Sequence, residues 1–289
     1  YPLIAGASGN FGYDSVPYNK GYNMICVGGS NDQGDSSRSN DTLYSDTSSK
    51  NPDTLHDDRE LPMMVAPAVN VTAAGVTGSG TSAAAPQVAA AAAQMQYNNS
   101  SLKYWPEVQR AILMATADEN VDGPVLNLND TTDDRDGAGE MNIELAMSMS
   151  GSSYKVNGGN TPVQAGFDYG TMTFSSDFTN NYYNEVYYAR YPFSGQRMRV
   201  VLAWDSTASC TDASDPSSCT SDTLDADLDI YVSTGGRWVA TSASWDNSYE
   251  FVEFDVQPNV TYEIRVYKSS STATSTFFGL AWNTWTYGP

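Results

Sequence analysis

The sequence predicts two structural classes in one chain. Residues 1–150 are predicted to form an α/β unit that contains part of a parallel sheet, and residues 151–289 an all-β antiparallel sandwich of the jelly-roll type. In the first half, short apolar runs alternate with helical segments, as in α/β folds. In the second half, short alternating segments are separated by turn residues, as in sandwiches. The chain has 289 residues, enough for roughly two domains.

In the first half, short apolar runs predict buried strands and longer runs predict helices. The predicted strands are Ile4–Ala7, Met24–Gly28, Met63–Ala66 and Asn70–Ala73, and the predicted helices are Ser82–Gln96, a helix beginning at Trp105-Pro106-Glu107, and Met141–Met149. The first helix is rich in alanine, which has the highest helix propensity. We expect Pro86 to be tolerated near the start of this helix, where the first amides have no partner in any case.

The second half contains segments of alternating polarity, with turn residues between them at roughly regular spacing. These segments are FDYGTMTF, NEVYYARY, MRVVLAW, LDIYVST, RWVATSA, FVEFDV, TYEIRVY and TFFGLAW. Alternation with a period of two is typical of strands that bury one face. The many tyrosines fit the same interpretation, because aromatic residues favour strands.

The charge balance argues against several classes of partner. Lysine and arginine total 14 against 34 aspartate and glutamate, which gives a net charge of −20. A chain with this negative charge is unsuited to binding nucleic acid or anionic membrane surfaces. The sequence has no run long enough for a transmembrane helix. We therefore expect a secreted or salt-exposed protein, or one that binds cations.

Chains rarely begin with a strand such as YPLIAG, so we expect the first residue to mark a cut.

The cysteines and glycosylation motifs also suggest an extracellular protein. Cys210 and Cys219 flank an acidic loop, and we predict a local disulfide between them, whereas Cys26 lies in the apolar run MICVGG and is predicted to be an unpaired core residue. Asn-x-Ser/Thr motifs that could carry glycans occur at Asn40, Asn70, Asn98, Asn99, Asn129 and Asn259. An Asn- and Thr-rich sequence also yields several such motifs by chance.

Two short stretches could carry catalytic chemistry. Ser82 precedes the alanine-rich run, which predicts that it lies at a helix N-terminus with free amides around it. Asn10 follows a buried strand through the small residues GASG, at the strand end where α/β sheets bind ligands. A backbone amide and an Asn carboxamide together can stabilise an oxyanion. Each stretch also has an ordinary structural explanation, since serine is a common N-cap and asparagine a common turn residue.

Several stretches, taken in order, resemble the subtilisin-like serine proteases, or subtilases. GTSAAAPQVAA resembles their active-serine motif, with Ala83 where Met is usual and Gln87 where His is usual. AGASGNFG resembles the segment that carries the oxyanion asparagine, and CVGGSNDQG the strand and turn after it. LPMMVAPAVNV, PEVQRAILMATA and GAGEMNIELAM resemble the remaining segments of the domain, with Ala68 where Gly is usual. The resemblance covers essentially all of residues 1–150.

The resemblance implies a role for individual residues. Ser82 would be the nucleophile, and Asn10 would stabilise the oxyanion together with the Ser82 amide. Ala7, Ser8 and Gly9 would form one wall of the pocket for the residue before the cleaved bond. The substrate would then be a polypeptide.

The chain departs from the family in its catalytic base. Subtilase triads run in the order Asp, His, Ser, and the chain has neither an Asp nor a His segment before Asn10. Its one histidine, His56, lies in the polar stretch NPDTLHDDRE and is predicted to be a surface-loop residue. Serine without a base is a weak nucleophile. The Asp and His would therefore come from an absent upstream segment or a separate polypeptide, unless the chain is a non-catalytic relative.

The sedolisins are a second family with a similar serine motif. They use Glu and Asp as the partners of the serine and an Asp at the oxyanion position, and they suit acid conditions, as the acidic composition here also does. Asn10 rather than Asp in the glycine-rich turn favours the subtilisin family.

The second half resembles the β-sandwich that follows the catalytic domain in some secreted subtilases, through MRVVLAWDS, LDADLDIYVS and FVEFDVQPNVTYEIRVYK. In a strand, Asp225, Asp227 and Asp229 project to one side, where a calcium ion could offset their charge, with Asp205 nearby. The alternative is a solvated acidic face. The run from Asp130 to Glu140 lacks regular ligand spacing and is predicted to be a solvated loop.

Two functional hypotheses follow. In the first, the chain is the carboxyl-terminal part of a secreted serine endopeptidase followed by a sandwich. In the second, the protease half is inert and the sandwich docks a protein or a glycan. Labelling of Ser82 by a fluorophosphonate would favour the first hypothesis.

Overall fold

The computed structural model describes residues 2–35, 37–118, 121–159, 161–207 and 224–286. The two cysteines of the predicted disulfide, Cys210 and Cys219, lie outside these ranges. Cys26 is buried and unpaired, as predicted. No helix within the described ranges is long and apolar enough to cross a membrane.

The first half is built on a small, mostly parallel sheet. Its strands are β1 (Ala5–Ala7), β2 (Ile25–Asn31), β3 (Thr42–Leu43) and β4 (Met64–Pro67). β2 lies between β1 and β4 and pairs with both in parallel, while β3 pairs antiparallel with the end of β2. Within the described residues, β1 pairs with no other strand and is therefore an edge of this sheet. The parallel sheet confirms the predicted α/β class.

Three α-helices follow in the order predicted. They are α1 (Thr81–Asn98), α2 (Pro106–Ala115) and α3 (Ile143–Met149), and short 3₁₀ segments occur at Arg38–Asn40, Ser100–Tyr104 and Ser152–Tyr154. α1 contacts β1, β2 and β4, with Ala84, Val88, Ala91 and Met95 buried. The small alanine side chains allow the helix to lie close to the sheet.

Two local expectations are wrong. The segment predicted as a buried strand at Asn70–Ala73 is instead β5 (Val71–Ala73), which forms an isolated hairpin with β6 (Val76–Gly78) and is largely exposed. Pro86 lies in the second turn of α1, not in the first, because the helix begins at Thr81. The proline therefore cannot donate to the carbonyl of Ser82, four residues back.

The second half is an antiparallel sandwich, as predicted. Its strands are β7 (Gly166–Thr173), β8 (Phe178–Thr179), β9 (Tyr182–Tyr183), β10 (Tyr187–Arg190), β11 (Gln196–Trp204), β12 (Ala226–Thr234), β13 (Arg237–Ser242), β14 (Tyr249–Val256), β15 (Thr261–Ser271) and β16 (Ser275–Thr286). One sheet has the order β14-β11-β16-β7 and the other β13-β12-β15-β9-β8, with β10 also on β15. Alternate residues of β11 and β12 face each other in the sandwich core.

The two halves share a continuous apolar core. α2 lies against β11 and β16, and residues such as Val201 and Ala203 on the outer face of β11 pack with the helices of the first half. β11 is thus buried on both faces, which explains its nearly unbroken apolar sequence. Two buried arginines cross the junction. Arg110 of α2 donates to Trp204 O and Ser248 O, and Arg199 of β11 donates to Met114 O and Ala117 O at the end of α2.

The chain changes from helices to antiparallel strands between α3 and β7, near the predicted boundary at residue 150. Because the core is continuous across that point, the division into domains 1–150 and 151–289 stays a prediction.

Candidate active site

The structure places Ser82 in the first turn of α1, with its side chain exposed. Gly80 precedes the helix with φ of 140°, a conformation that side-chain-bearing residues rarely adopt. Its amide donates to Ala68 O at 2.8 Å, which ties the start of the helix to the end of β4. As the second helical residue, Ser82 has no acceptor for its amide within the helix. That amide is available to a ligand.

Asn10 lies beside the same turn. Its Oδ1 accepts from Thr81 N at 2.8 Å and from Thr81 Oγ1 at 3.1 Å. With Oδ1 so engaged, Nδ2 is the polar group of the carboxamide that remains to donate. The Asn10 side chain is otherwise exposed. Thr81, which is fully buried, therefore fixes the carboxamide orientation.

The structure brings Asn10 and Ser82 together. A Cβ built on Gly80 would lie 3.1 Å from Asn10 Nδ2 and 3.3 Å from Ser82 Oγ. Both groups thus border one small space that only a glycine leaves open. A hydroxyl, a carboxamide donor and a free helix amide around one space are the groups needed to attack a carbonyl and stabilise the resulting oxyanion.

The other predicted substrate residues lie next to this space, and their backbones are well fixed. Ser8 and Gly9 are buried and Ala7 is half-buried. Gly9 N donates to Thr81 Oγ1 at 3.1 Å, and Gly9 O accepts from Ser48 N at 3.0 Å. With φ of 124° and Ser48 Oγ only 2.9 Å from where its Cβ would be, position 9 requires glycine. Their role as a pocket wall stays a prediction.

His56 is an exposed loop residue, as predicted, but it is bound to the sandwich. Its Nδ1 lies 2.8 Å from Asp246 Oδ1, and its ring stacks on Trp245 with centroids 5.1 Å apart. The hydrogen bond that His56 donates to Asp246 raises the pKa of His56. Since this is the only histidine in the sequence, the chain supplies no imidazole to Ser82.

The four aspartates predicted to bind calcium do not meet at one point. Asp225 accepts from Ser206 Oγ at 2.9 Å and from Thr207 Oγ1 at 2.6 Å, while Asp205 lies beside Glu107 of α2. Asp227 and Asp229 are buried on the other side of β12 from the sandwich core. Among the described residues, no group of three or more His, Cys, Asp or Glu is arranged to hold a metal ion.

Asp227 and Asp229 are the pair with unbalanced charge. Burial raises the pKa of Asp227 to about 6 and that of Asp229 to about 7, and the charge of Asp227 adds to the shift at Asp229. Asp227 Oδ1 is buried without a hydrogen-bond partner. Calcium stays a prediction, and these contacts do not support one site shared by all four aspartates.

The acidic run Asp130–Glu140 is not the solvated loop that its composition predicts. Asp134, Asp136 and Glu140 are buried. Asp134 Oδ2 and Asp136 Oδ2 accept backbone amides of Asn127 and Val121, and Glu140 accepts from Ser30 Oγ. These carboxylates organise the loops around β4. Backbone amides donate the hydrogen bonds that the carboxylates would otherwise accept from water.

Sequence reasoning missed three residues that build the site. Thr81 orients Asn10, Ser48 Oγ accepts from Phe11 N at 3.2 Å, and Gln87 donates to Pro67 O at 2.7 Å. The motif GTS contained Thr81, but its contact with Asn10 spans 71 positions. No local pattern signals a contact of that range.

The first half of the chain matches a model of a known protein family. Residues 3–139 match the family model described as the subtilase family. No curated protein matches the chain.

Several solved structures are similar to parts of the chain at low identity. Fervidolysin from Fervidobacterium pennivorans, a keratinolytic enzyme related to subtilisin, is 16% identical with a TM-score of 0.37, over 86% of this chain and 30% of that one. Tripeptidyl peptidase 2 is 12% identical with a TM-score of 0.33, over 99% of this chain and 32% of that one. The pre-peptidase C-terminal domain of collagenase from Bacillus anthracis is 11% identical with a TM-score of 0.27, over 44% of this chain and 100% of that one. The chain spans about a third of the length of the two proteases.

Proposed function

Because residues 3–139 match the subtilase family model, we propose that the protein is a serine endopeptidase of this family with Ser82 as its nucleophile. The observation that carries this proposal is the shared space beside Gly80, where Ser82 Oγ and Asn10 Nδ2 both lie. Ser82 would attack the scissile carbonyl to form an acyl-enzyme, which water then hydrolyses. Asn10 Nδ2 and the Ser82 amide would hold the oxyanion.

The catalytic base and its orienting acid would come from a polypeptide segment outside these residues. His56 is held by Asp246 on the sandwich, so it is not available to Ser82. An upstream segment or a separate chain would have to supply both groups. Without them, the serine hydroxyl lacks the general base that activates it.

The surface beside Ser82 has the character of a docking site for such a segment. One face of α1 is exposed although it is apolar, and it consists of Pro86, Ala89, Ala90, Ala93 and Tyr97. These positions recur every three or four residues, so they form a single stripe. The free edge of β1 lies on the same helix–sheet layer. An unpaired parallel edge strand next to an apolar helix face invites a further strand and helix.

Secretion and glycosylation form part of the same proposal. Of the asparagines in glycosylation motifs, all except Asn99 are exposed. Asn99 is buried, donates to Ser150 O and accepts from Ser101 N, so it would not carry a glycan. Intact mass before and after deglycosylation tests this part.

The central test uses a fluorophosphonate probe on two preparations, this chain alone and the chain joined to its upstream segment. We expect labelling and peptide hydrolysis in the second preparation, and little of either in the first. Ser82→Ala should abolish both, while Ser101→Ala, an exposed serine in the 3₁₀ segment after α1, should change neither. Equal labelling of Ser82→Ala and the parent would refute the assignment. Absence of labelling in the complete protein would favour a non-catalytic role.

A further inference from the structure

A polar junction far along the chain from Ser82 joins residues Thr54–Glu60 of the first half to residues Trp245–Tyr249 of the sandwich. We call these two segments the clasp. Asp246 accepts from Thr54 Oγ1 at 2.6 Å and from His56 N at 2.9 Å. In return, Asp58 accepts from Trp245 N at 2.7 Å and from Asp246 N at 2.9 Å. Each segment thus places one carboxylate on the backbone amides of the other.

Further bonds extend the clasp on both sides. Asn247 donates to Asp58 O at 2.6 Å and accepts from Glu60 N at 3.2 Å. Tyr249 Oη donates to Glu60 O at 2.9 Å. The stack of His56 on Trp245 covers the outer side of the Asp246 carboxylate. Segment 54–60 is therefore held by side chains and backbone groups of the opposite half rather than by its own secondary structure.

The clasp contains more negative than positive charge. His56 faces Asp246, Asp58 and Asp227, while Asp229 lies next to Asp227 and Glu250 next to Asp229. On its own segment, Asp57 is exposed and Arg59 is turned away, with its guanidinium 4.1 Å above the Tyr22 ring. Among the described residues, His56 is the basic side chain that forms an ion pair with Asp246. The charge balance around Asp246 thus depends on one imidazole.

We propose that the clasp is a pH-operated latch between the two halves, tight while His56 carries its proton and loosened when that proton is lost. A neutral imidazole can still donate one hydrogen bond to Asp246, so the latch loosens rather than breaks. What disappears is the positive charge that offsets Asp58, Asp227 and Asp246. Repulsion among these carboxylates then favours separation of segment 54–60 from the sandwich.

The pKa shifts of three groups determine how the stability of the clasp changes with pH. The hydrogen bond that His56 donates to Asp246 raises the pKa of His56, so the contribution of His56 is complete below 6.5 and is lost as the pH rises through the raised value. Burial, aided by the charge of Asp246, raises the pKa of Asp58, so this group also favours the folded clasp at low pH. Although burial opposes it, hydrogen bonds from Thr54 and His56 lower the pKa of Asp246, whose contribution is lost only in strong acid. The contributions of His56 and Asp246 overlap from about pH 4 to 6.5, and because that of Asp58 is lost as the pH rises through its raised pKa, the clasp is tightest toward the acid end of this range.

A titration of His56 tests the charge balance directly. The C2 proton of its imidazole is followed by NMR in the full chain without a histidine tag, and the signal is assigned by its loss in His56→Gln. We expect a midpoint above 6.5 in the parent and a lower midpoint in Asp246→Asn. A parent midpoint at or below 6.5, or no change in a folded Asp246→Asn variant, would overturn the proposal.

Hydrogen exchange tests the latch itself, and this test does not require the Asp246→Asn variant to fold. Protection factors, corrected for intrinsic exchange, are compared at pH 5.5 and 8.5 for the amides of His56, Trp245 and Asp246. We expect their protection to fall about tenfold for each unit by which the His56 midpoint exceeds 6.5, while β11 amides lose less. In His56→Gln the extra loss should become smaller, and the part that remains is due to Asp58 and Glu60 of the clasp, whose raised pKa values act in the same direction. Equal losses in the clasp and β11, or an unchanged loss in His56→Gln, would show that no latch exists.

Discussion

At the scale of single residues, the orientation of Asn10 depends on Thr81. Asn10 Oδ1 accepts from both the amide and the hydroxyl of this threonine, and the same hydroxyl accepts from Gly9 N. Thr81 is fully buried and so is not exposed to a substrate. It is therefore a positioning residue, which acts by turning the carboxamide so that Nδ2 remains free to donate.

We predict that Thr81→Val lowers kcat by about 5- to 20-fold, because the hydrogen bond to Asn10 and the one from Gly9 N are both lost, together about 1–2 kcal/mol. KM should change little, since the contact is with Asn10 and not with the substrate. Asn10→Ala should cost more, about 10²–10³ in kcat, the size seen when a subtilisin loses its oxyanion side chain. Thr132→Val, at an exposed threonine whose hydroxyl makes no contact in the structure, is the control. A larger loss in Thr81→Val than in Asn10→Ala would contradict this order.

At the scale of elements, the exposed stripe on α1 predicts how the catalytic unit is completed. We expect Ala93→Glu to lower peptidase activity of the complete protein by more than tenfold, because a carboxylate would be buried against the partner segment. The stability of residues 1–289 alone should barely change, since Ala93 is exposed. Activity and urea unfolding, measured in parallel, separate the two effects. Gln94→Glu adds the same charge at the edge of the stripe and should have a smaller effect on activity.

The contact of α2 with the sandwich depends on the absence of a side chain on β16. A Cβ at Gly279 would lie 2.1 Å from Val108 N and 2.5 Å from the carbonyl carbon of Glu107, so the helix backbone would have to move. We predict that Gly279→Ala destabilises the chain by at least about 1–3 kcal/mol, the usual cost of overpacking. Gly170→Ala is the matched control in the neighbouring strand β7, where the nearest atom would be a ring carbon of Phe278 at 3.4 Å. Similar unfolding midpoints for the two variants in urea would show that α2 can shift freely.

These elements show which features the sequence determines locally. β2, α1 and β11 could be predicted because each carries a periodic or continuous apolar pattern that any compact fold must bury. The pairing of Ser82 with Asn10 could be anticipated from the order of short motifs. The burial of Asp134 and the contacts of the clasp could not be predicted, because polar loops have no periodic pattern and their partners lie far away in the sequence. Clasp contacts join residues about 190 positions apart.

At the scale of the whole molecule, the chain buries many carboxyl groups whose charge nearby basic side chains do not fully offset. Burial raises the pKa of Glu60 and Glu107 to about 8 and that of Asp136 and Glu140 to about 7. A carboxyl group with a raised pKa in the folded state stabilises the fold when protonated. Its contribution is complete below its ordinary pKa and is lost as the pH rises through the raised value. We therefore predict that the free energy of unfolding falls between pH 5 and 8.5.

Glu60 is the group through which this prediction is best tested. Its side chain is fully buried, Oε1 has no hydrogen-bond partner, and the charge of Asp134 adds to the effect of burial. Glutamine at this position keeps the shape but cannot ionise. Glu60→Gln should therefore be about as stable as the parent at pH 5 and more stable at pH 8.5. Urea unfolding across this range, in a chelating buffer that removes adventitious cations, measures the difference, with the exposed Glu144→Gln as the control. A free energy of unfolding that rises with pH in the parent would contradict this prediction. It would mean that the buried carboxyl groups are ionised and that positive charges balance them.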